Sequence, residues 1–181
     1  MIQQCAAGLI KVKLQDDSLA FAAPPTIRTG PLEADYLTAA TAALQITPDR
    51  VIAHQWIDNG SGWAAVRLAT AAEVLALDPD FSHLPNAVLG VVGAHPIGSD
   101  TQFEVRGFAP GLGISEDPVT GSLNAGPAQW LIRTQQAPST YRVSQGSRVG
   151  REGTIIVTAA LDGKIWVGGR ATICITGSVT I

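Results

Sequence analysis

The chain has 181 residues, of which 46% are hydrophobic and 15% are charged, and it contains 19 glycines and 11 prolines. The apolar share argues against a disordered chain, and the low charge excludes a long coiled coil rich in Glu and Lys. The formal net charge is −3 without a block of basic residues, so we expect no nucleic-acid partner.

The first segment predicts a β-hairpin. Ile10, Val12 and Leu14 alternate with two lysines, which is the period of a half-buried strand, and residues 19–22 follow an Asp-Asp turn as the returning strand. The run from Pro24 to Pro31 is dense in helix and strand breakers, so we predict a linker and the best domain boundary there.

The middle and the end of the chain predict short helices and many strands. One helix is expected after Pro31, and a second begins at the capping box of Thr70 and Glu73. The segment from Ser122 to Arg133 is apolar almost all round, which is typical of a helix buried on every side. The predicted strands are 51–57, 63–68, 88–92, 102–108, 141–144, 154–159, 164–167 and 171–176.

The densest group of chemically useful residues lies just before this buried helix. Asp117 precedes Pro118, which favours an extended backbone, and Gly121 and Ser122 then open the helix. The first N–H groups of a helix attract a carboxylate or phosphate, and a nearby carboxylic acid could transfer a proton on a small carboxylate substrate. The alternative is that Ser122 is a plain N-cap and Asp117 a turn residue.

Several motifs in this order resemble the PhzF family of phenazine biosynthesis-like proteins. The most specific is the block Glu-Asp-Pro-Val-Thr-Gly-Ser at 116–122, preceded by Phe-Ala-Pro at 108–110. Similar stretches are Asp-Asn-Gly at 58–60, Leu-Asp-Pro-Asp at 77–80 and Gln-Gly at 145–146, so the resemblance runs from about Ala23 onward.

The resemblance implies an α+β, diaminopimelate epimerase-like lobe in which a mixed, largely antiparallel sheet wraps around a central apolar helix. It also implies an isomerase that moves a proton on a small carboxylate-bearing metabolite without a cofactor. By this resemblance Asp117 is the catalytic acid/base. The implied substrate-binding residues are Gly121, Ser122 and Leu123, through their amides, together with Asn59 and Gln145.

The family's N-terminal half, with its catalytic glutamate and Gly-His motif, has no match in this sequence. We therefore expect residues 1–23 to be remnant strands of an N-terminal lobe, 24–170 a C-terminal lobe, and 171–181 a closing strand that returns to the remnant. The missing half would come from a separate chain, from a homodimer or from a part of the gene that this sequence leaves out. The alternatives are a non-catalytic fragment or binding module that dimerises through its apolar cleft, and an unrelated domain with a chance motif.

The remaining expectations concern cysteines, metals and location. Cys5 and Cys174 lie outside any metal-ligand spacing, so we expect both thiols to be buried. If the closing strand forms, we expect the two cysteines to be neighbours in one residual sheet. No histidine has a partner at an informative spacing, so we expect the three histidines to be structural or solvated and predict no metal site. No stretch is long and apolar enough to cross a membrane, and a cytoplasmic protein is the expectation.

Overall fold

The computed structural model describes residues 1–5, 8–15, 18–172 and 174–178, and in these it forms a large sheet and three α-helices. The strands are β1 Ile2–Cys5, β2 Gly8–Gln15, β3 Ser18–Ala22, β4 Arg28–Gly30, β5 Ala53–Asp58, β6 Ala64–Thr70, β7 Leu89–Ala94, β8 Phe103–Ala109, β9 Ile114–Asp117, β10 Thr140–Gln145, β11 Gly153–Ala159 and β12 Ile165–Arg170. The helices are α1 Ala34–Ala43, α2 Ala71–Ala76 and α3 Gly121–Arg133.

The described strands belong to one mixed sheet. Its order is β1-β2-β3-β12-β11-β10-β8-β7-β6-β5-β4, and β9 pairs with β8 beside this path. The pairs β6–β7 and β8–β10 are parallel, and the other pairs are antiparallel. The predicted α+β class with a mixed sheet is therefore confirmed.

Helix α3 lies inside the curve of this sheet. It packs against β12 and β11 on one arm and against β5 on the other, although these strands stand far apart in the sheet order. Its buried side chains, such as Leu123 and Leu131, share one core with Val157 and Val167. The helix continues through Pro127, where we expect the missing N–H to remove one internal hydrogen bond.

The opposite face of the central strands is also covered. Leu44 after α1 and Val74 of α2 pack with Trp56, Leu89 and Phe108 in a second core. Since α3 covers one face of β8 and α2 packs on the other, all seven residues of β8 are buried. The charged residues of this strand consequently lie in the interior, a placement that the alternation of the sequence alone did not predict.

The helices and most strands lie close to their predicted positions. The capping box is present, because the Thr70 side chain accepts from the Glu73 N–H and the Glu73 carboxylate accepts from the Thr70 N–H. Three strands were not predicted, and they are β1, β4 in the supposed linker, and β9 in the loop before α3.

The C-terminal strand predicted at 171–176 is wrong for the part that the structure describes, since residues 171, 172 and 174–178 form no strand. The strand that joins the N-terminal hairpin is β12, which pairs with β3 from Trp166↔Ala22 to Arg170↔Ser18. Cys174 is exposed rather than buried, and the side chain of Cys5 lies outside the described residues. The division into lobes remains a prediction.

Candidate active site

Asp117 lies at the end of β9, directly before the chain enters α3. It is half-buried, and it stands opposite Gly107 in the antiparallel pair of β8 and β9. The Thr120 hydroxyl donates a hydrogen bond of 2.7 Å to Oδ2 of Asp117. Among the residues that the structure describes, no donor lies within hydrogen-bond distance of the other oxygen, Oδ1, which leaves it available to a ligand.

The N-terminus of α3 begins beside this carboxylate. Thr120 is the N-cap residue, and the next three residues carry backbone N–H groups that have no acceptor within the helix. Gly121 lies close to the Phe21 ring, since a Cβ at this position would be 3.1 Å from Cε1 of Phe21. The absence of a side chain thus keeps the first turn of the helix open between Phe21 and Asp117.

Gln145, at the end of β10, holds the loop between Asp117 and α3 through hydrogen bonds. Its amide nitrogen donates to the Asp117 carbonyl at 2.8 Å and to the Thr120 hydroxyl at 2.9 Å. Its amide oxygen accepts from the Thr120 N–H at 3.1 Å and from the Asn124 side chain at 2.8 Å. The side chain is 1% exposed and its hydrogen-bonding capacity is used within the protein, so it holds the loop. Its contact with a substrate remains a prediction.

Asn59 and Trp63 hold the first turn of α3 from the β5–β6 loop. The Asn59 amide donates to the carbonyl of Ser122 at 2.7 Å, and the indole N–H of Trp63 donates to the Ser122 hydroxyl at 3.0 Å. Asn59 is buried, and the loop itself is fixed by the carboxylate of Asp58, which accepts from the N–H groups of Gly60 and Gly62. Asn59 therefore connects the loop to the helix rather than only completing a tight turn.

Leu123 can offer a ligand only its backbone. Its side chain is fully buried against β7 and β8, at the points where those strands carry Gly90 and Gly107. A Cβ on Gly90 would be 2.2 Å from Cδ1 of Leu123, and one on Gly107 would be 2.8 Å from Cδ2. The two glycines permit the close approach of α3 to the sheet that places its N-terminus beside Asp117.

An open groove of about 770 Å³ extends from Gly121 along the ends of β11 and β12. Phe21 and Val119 line it on the apolar side, and Arg142 and Glu152 contribute charged groups. This volume accommodates a small metabolite next to the helix N-terminus.

Two buried polar groups near the site were not predicted. Arg106 of β8 forms an ion pair with Glu116 of β9, the residue before Asp117. Glu104, on the same face of β8, accepts from the hydroxyl of Ser144 and lies 3.3 Å from Nε2 of His95. The alternation of Glu104 and Arg106 in the sequence was the available signal, but it could not show that the second face of the strand is covered.

Comparison with known proteins identifies the family of this chain. The family described as "Phenazine biosynthesis-like protein" (PhzC-PhzF) matches residues 1–177, so the match includes the N-terminal strands that precede the resembling motifs. The chain belongs to this family.

Two curated proteins and a solved structure are also similar to this chain. The chain is 28% identical to "Antisense-enhancing sequence 1" of Schizosaccharomyces pombe over 98% of its own length and 66% of that protein. It is 30% identical to "Uncharacterized isomerase YddE" of Escherichia coli over 79% of its length and 54% of that protein. The crystal structure of a PhzF family protein from Enterococcus faecalis superposes with a TM-score of 0.72 at 22% identity, covering 100% of this chain and 65% of the other.

This PhzF family chain thus spans between about half and two thirds of the length of the relatives it matches. In the described residues no helix is long and apolar enough to cross a membrane, and no group of three potential metal-ligating side chains is present. A cytoplasmic location remains a prediction.

Proposed function

We propose that this chain is the Asp117-bearing part of a PhzF-like isomerase, which moves a proton on a small carboxylate-bearing metabolite. The single observation that carries the proposal is the placement of the Asp117 carboxylate beside the open N-terminus of α3, with one oxygen held by Thr120. Membership of the family and the isomerase names of relatives support the same class of reaction.

The chemistry needs two functions that these residues could supply. The N–H groups of Gly121, Ser122 and Leu123 would bind the substrate carboxylate, because the positive end of the helix dipole favours an anion. Asp117 would take a proton from one substrate carbon and return it to another, while the N–H groups stabilise the charge that develops between the two steps. Such a proton transfer needs no cofactor. Asn59 would hold the first turn of α3 in place, and Gln145 would hold the loop between Asp117 and α3.

The proposal also requires a partner surface, since the resemblance assigns a second catalytic group to an N-terminal lobe. The face of the sheet that packs on α3 continues across β3 and β2, where Phe21 pairs with Val12, and Leu19 pairs with Leu14. Leu14 is 70% exposed on this face. We propose that an N-terminal lobe, from a longer form of this chain or from a separate chain, or a second copy of this chain covers it and completes the site.

The test is exchange of substrate protons with solvent deuterium. The chain is incubated in D2O with a panel of small amino- and hydroxy-carboxylates, alone and with the N-terminal lobe of a relative added as a second chain, and deuterium incorporation is followed by NMR. We expect Asp117→Asn to lower the exchange rate at least 100-fold, since general acid/base groups contribute about 10²–10⁴-fold.

The control variant is Asp162→Asn, which removes a carboxylate from the exposed turn between β11 and β12 and should leave the exchange rate unchanged. Equal exchange by wild-type chain and Asp117→Asn would refute the catalytic assignment. The second candidate is a non-catalytic binding module that dimerises through its apolar face, which the exposure of Leu14 favours. A stable dimer with no exchange for any compound in either arrangement would favour this candidate.

A further inference from the structure

The ion pair of Arg106 and Glu116 lies directly behind Asp117 and has no role in the proton transfer proposed above. Nε of Arg106 donates to Oε1 of Glu116 at 3.0 Å, and Nη2 donates to Oε2 at 2.8 Å. The two side chains are 5% and 10% exposed. This is a bidentate pair, which fixes the direction of a carboxylate as well as its position.

The arginine is anchored at its far end to a different element. Nη1 of Arg106 donates to the carbonyls of Val74, at 3.1 Å, and Leu77, at 2.7 Å. These carbonyls belong to the last turn of α2 and to the residue that caps it, where a cation is favoured by the helix dipole. Glu116 is thereby tied, through one guanidinium, to a helix whose own N-terminus is closed by a capping box.

Strand β9 is otherwise held by its pairing with β8 and, at Asp117, by hydrogen bonds from Gln145 and Thr120. It is four residues long, its register with β8 shifts between Gly107 and Ala109, and its first two residues are exposed. Successive side chains of a strand point to opposite faces, so a glutamate held on the α2 face places the next side chain on the α3 face. Gly107 is consistent with this, because a Cβ there would be 3.2 Å from the Thr120 hydroxyl that binds Asp117.

We infer that Arg106 and Glu116 are positioning residues, which hold the Asp117 side chain in the single orientation that faces the N-terminus of α3. The inference deepens the proposed function and rests on it for its catalytic meaning. The orientation itself can be measured whether or not Asp117 transfers a proton.

The experiment measures the side-chain rotamer of Asp117 by NMR in isotope-labelled chain. The three-bond couplings from Cγ of Asp117 to its backbone N and carbonyl C report χ1. In the wild-type chain we expect values near those of one rotamer. In Glu116→Gln, which breaks the charged bidentate contact, we expect the larger coupling to fall at least 1.5-fold toward the average over three rotamers.

The matched control is Glu104→Gln, which removes another largely buried carboxylate, from the neighbouring strand β8; among the described residues Glu104 forms no hydrogen bond with β9. Both substitutions are expected to lower stability, but only the change at Glu116 should alter the Asp117 couplings. If Glu116→Gln does not fold, Arg106→Lys serves the same test, because it keeps a charge while losing the bidentate contact. Single-rotamer couplings in a folded Glu116→Gln or Arg106→Lys chain would overturn the inference, as would equal averaging in Glu104→Gln.

A second measurement separates this inference from the proposed function. Where the assembled protein exchanges deuterium, Glu116→Gln should lower kcat at least 10-fold and leave KM within about twofold, since the helix N–H groups that bind the substrate are unchanged. If Asp117→Asn exchanges at the wild-type rate while Glu116→Gln still averages the couplings, the proposed function fails and the positioning of Asp117 stands.

Discussion

At the scale of single residues, the site depends on three glycines as well as on its polar side chains. Gly90, Gly107 and Gly121 each lie where α3 or its N-terminal turn approaches another part of the protein closely. The strand pattern of the sequence could not show these approaches, because they join segments far apart in the chain. The motif around Asp117 did identify the loop, and the structure adds how Gln145 and Thr120 hold it.

Gly90→Ala should lower the free energy of unfolding by about 1–3 kcal/mol, because its methyl group would overlap the fully buried Leu123 side chain. Chemical denaturation measures the change. Leu123→Val, which shortens the opposing side chain, should lower the cost of Gly90→Ala when the two are combined. If the free-energy changes of the two single variants simply add in the double variant, the overlap is relieved by other residues.

At the scale of elements, the sequence predicted the strands and helices with a clear period and missed those whose pairing is decided by tertiary contacts. Strand β9 is the important case: its four residues lie among glycines and prolines, and they form a strand by pairing with Gly107 and Ala109, beyond the residues of β8 that pair with β10. Strand β4 likewise forms within the supposed linker by pairing with β5. Alternation in β8 predicted its two faces but not that both are buried, since α2 is not adjacent in sequence.

We expect the stability of the protein to respond to acid through Glu73 of helix α2. Hydrogen bonding from Arg50, followed by that from the backbone of Thr70, holds the pKa of Glu73 below its usual value. Because the pKa is lowered in the folded state, the stabilisation is complete above the ordinary carboxylate pKa of about 4.5 and is lost as the pH falls through the folded-state value.

We expect Glu73→Gln to lower stability at pH 7 by about 0.5–1 kcal/mol and to reduce the loss of stability between about pH 5 and pH 3. Glutamine keeps the capping box, so the helix itself should persist. Urea denaturation at a series of pH values checks this. If the stabilities of the two chains change in parallel with pH, Glu73 does not contribute to the loss of stability in acid.

At the scale of the whole molecule, one arm of the sheet is covered on both faces and the other is not. Strands β5 to β8 lie between α3 and the two smaller helices, whereas β1 to β3 expose leucines on the face that continues from the core. The resemblance predicts an N-terminal lobe without a match in this sequence, and the exposed face is the surface that we propose for its contact. The side-chain pattern of the hairpin alone could not distinguish a solvated strand from one awaiting a partner.

Leu14→Glu should therefore weaken association of the chain with its partner surface at least 10-fold, because it places a charge in an apolar contact. Sedimentation velocity over a concentration series measures association with a second copy, and with an added N-terminal lobe. Leu161→Glu is the control, since Leu161 is fully exposed in the turn before β12 and lies outside this face. A Kd that is the same for both variants would remove the proposed surface.

The attachment of β1 to β3 has a consequence for the dynamics of the protein. Among residues 1–5, 8–15, 18–172 and 174–178, these strands join the rest of the sheet through the pairing of β3 with β12, which connects Ala22 to Trp166 across most of the chain. A unit held by one long-range pairing opens at lower free energy than the core around α3, and its amide hydrogens exchange with solvent sooner. The ring of Phe21, which contacts Gly121, belongs to this unit. Local opening of the hairpin would therefore move this ring away from Gly121 and widen the groove beside the first turn of α3.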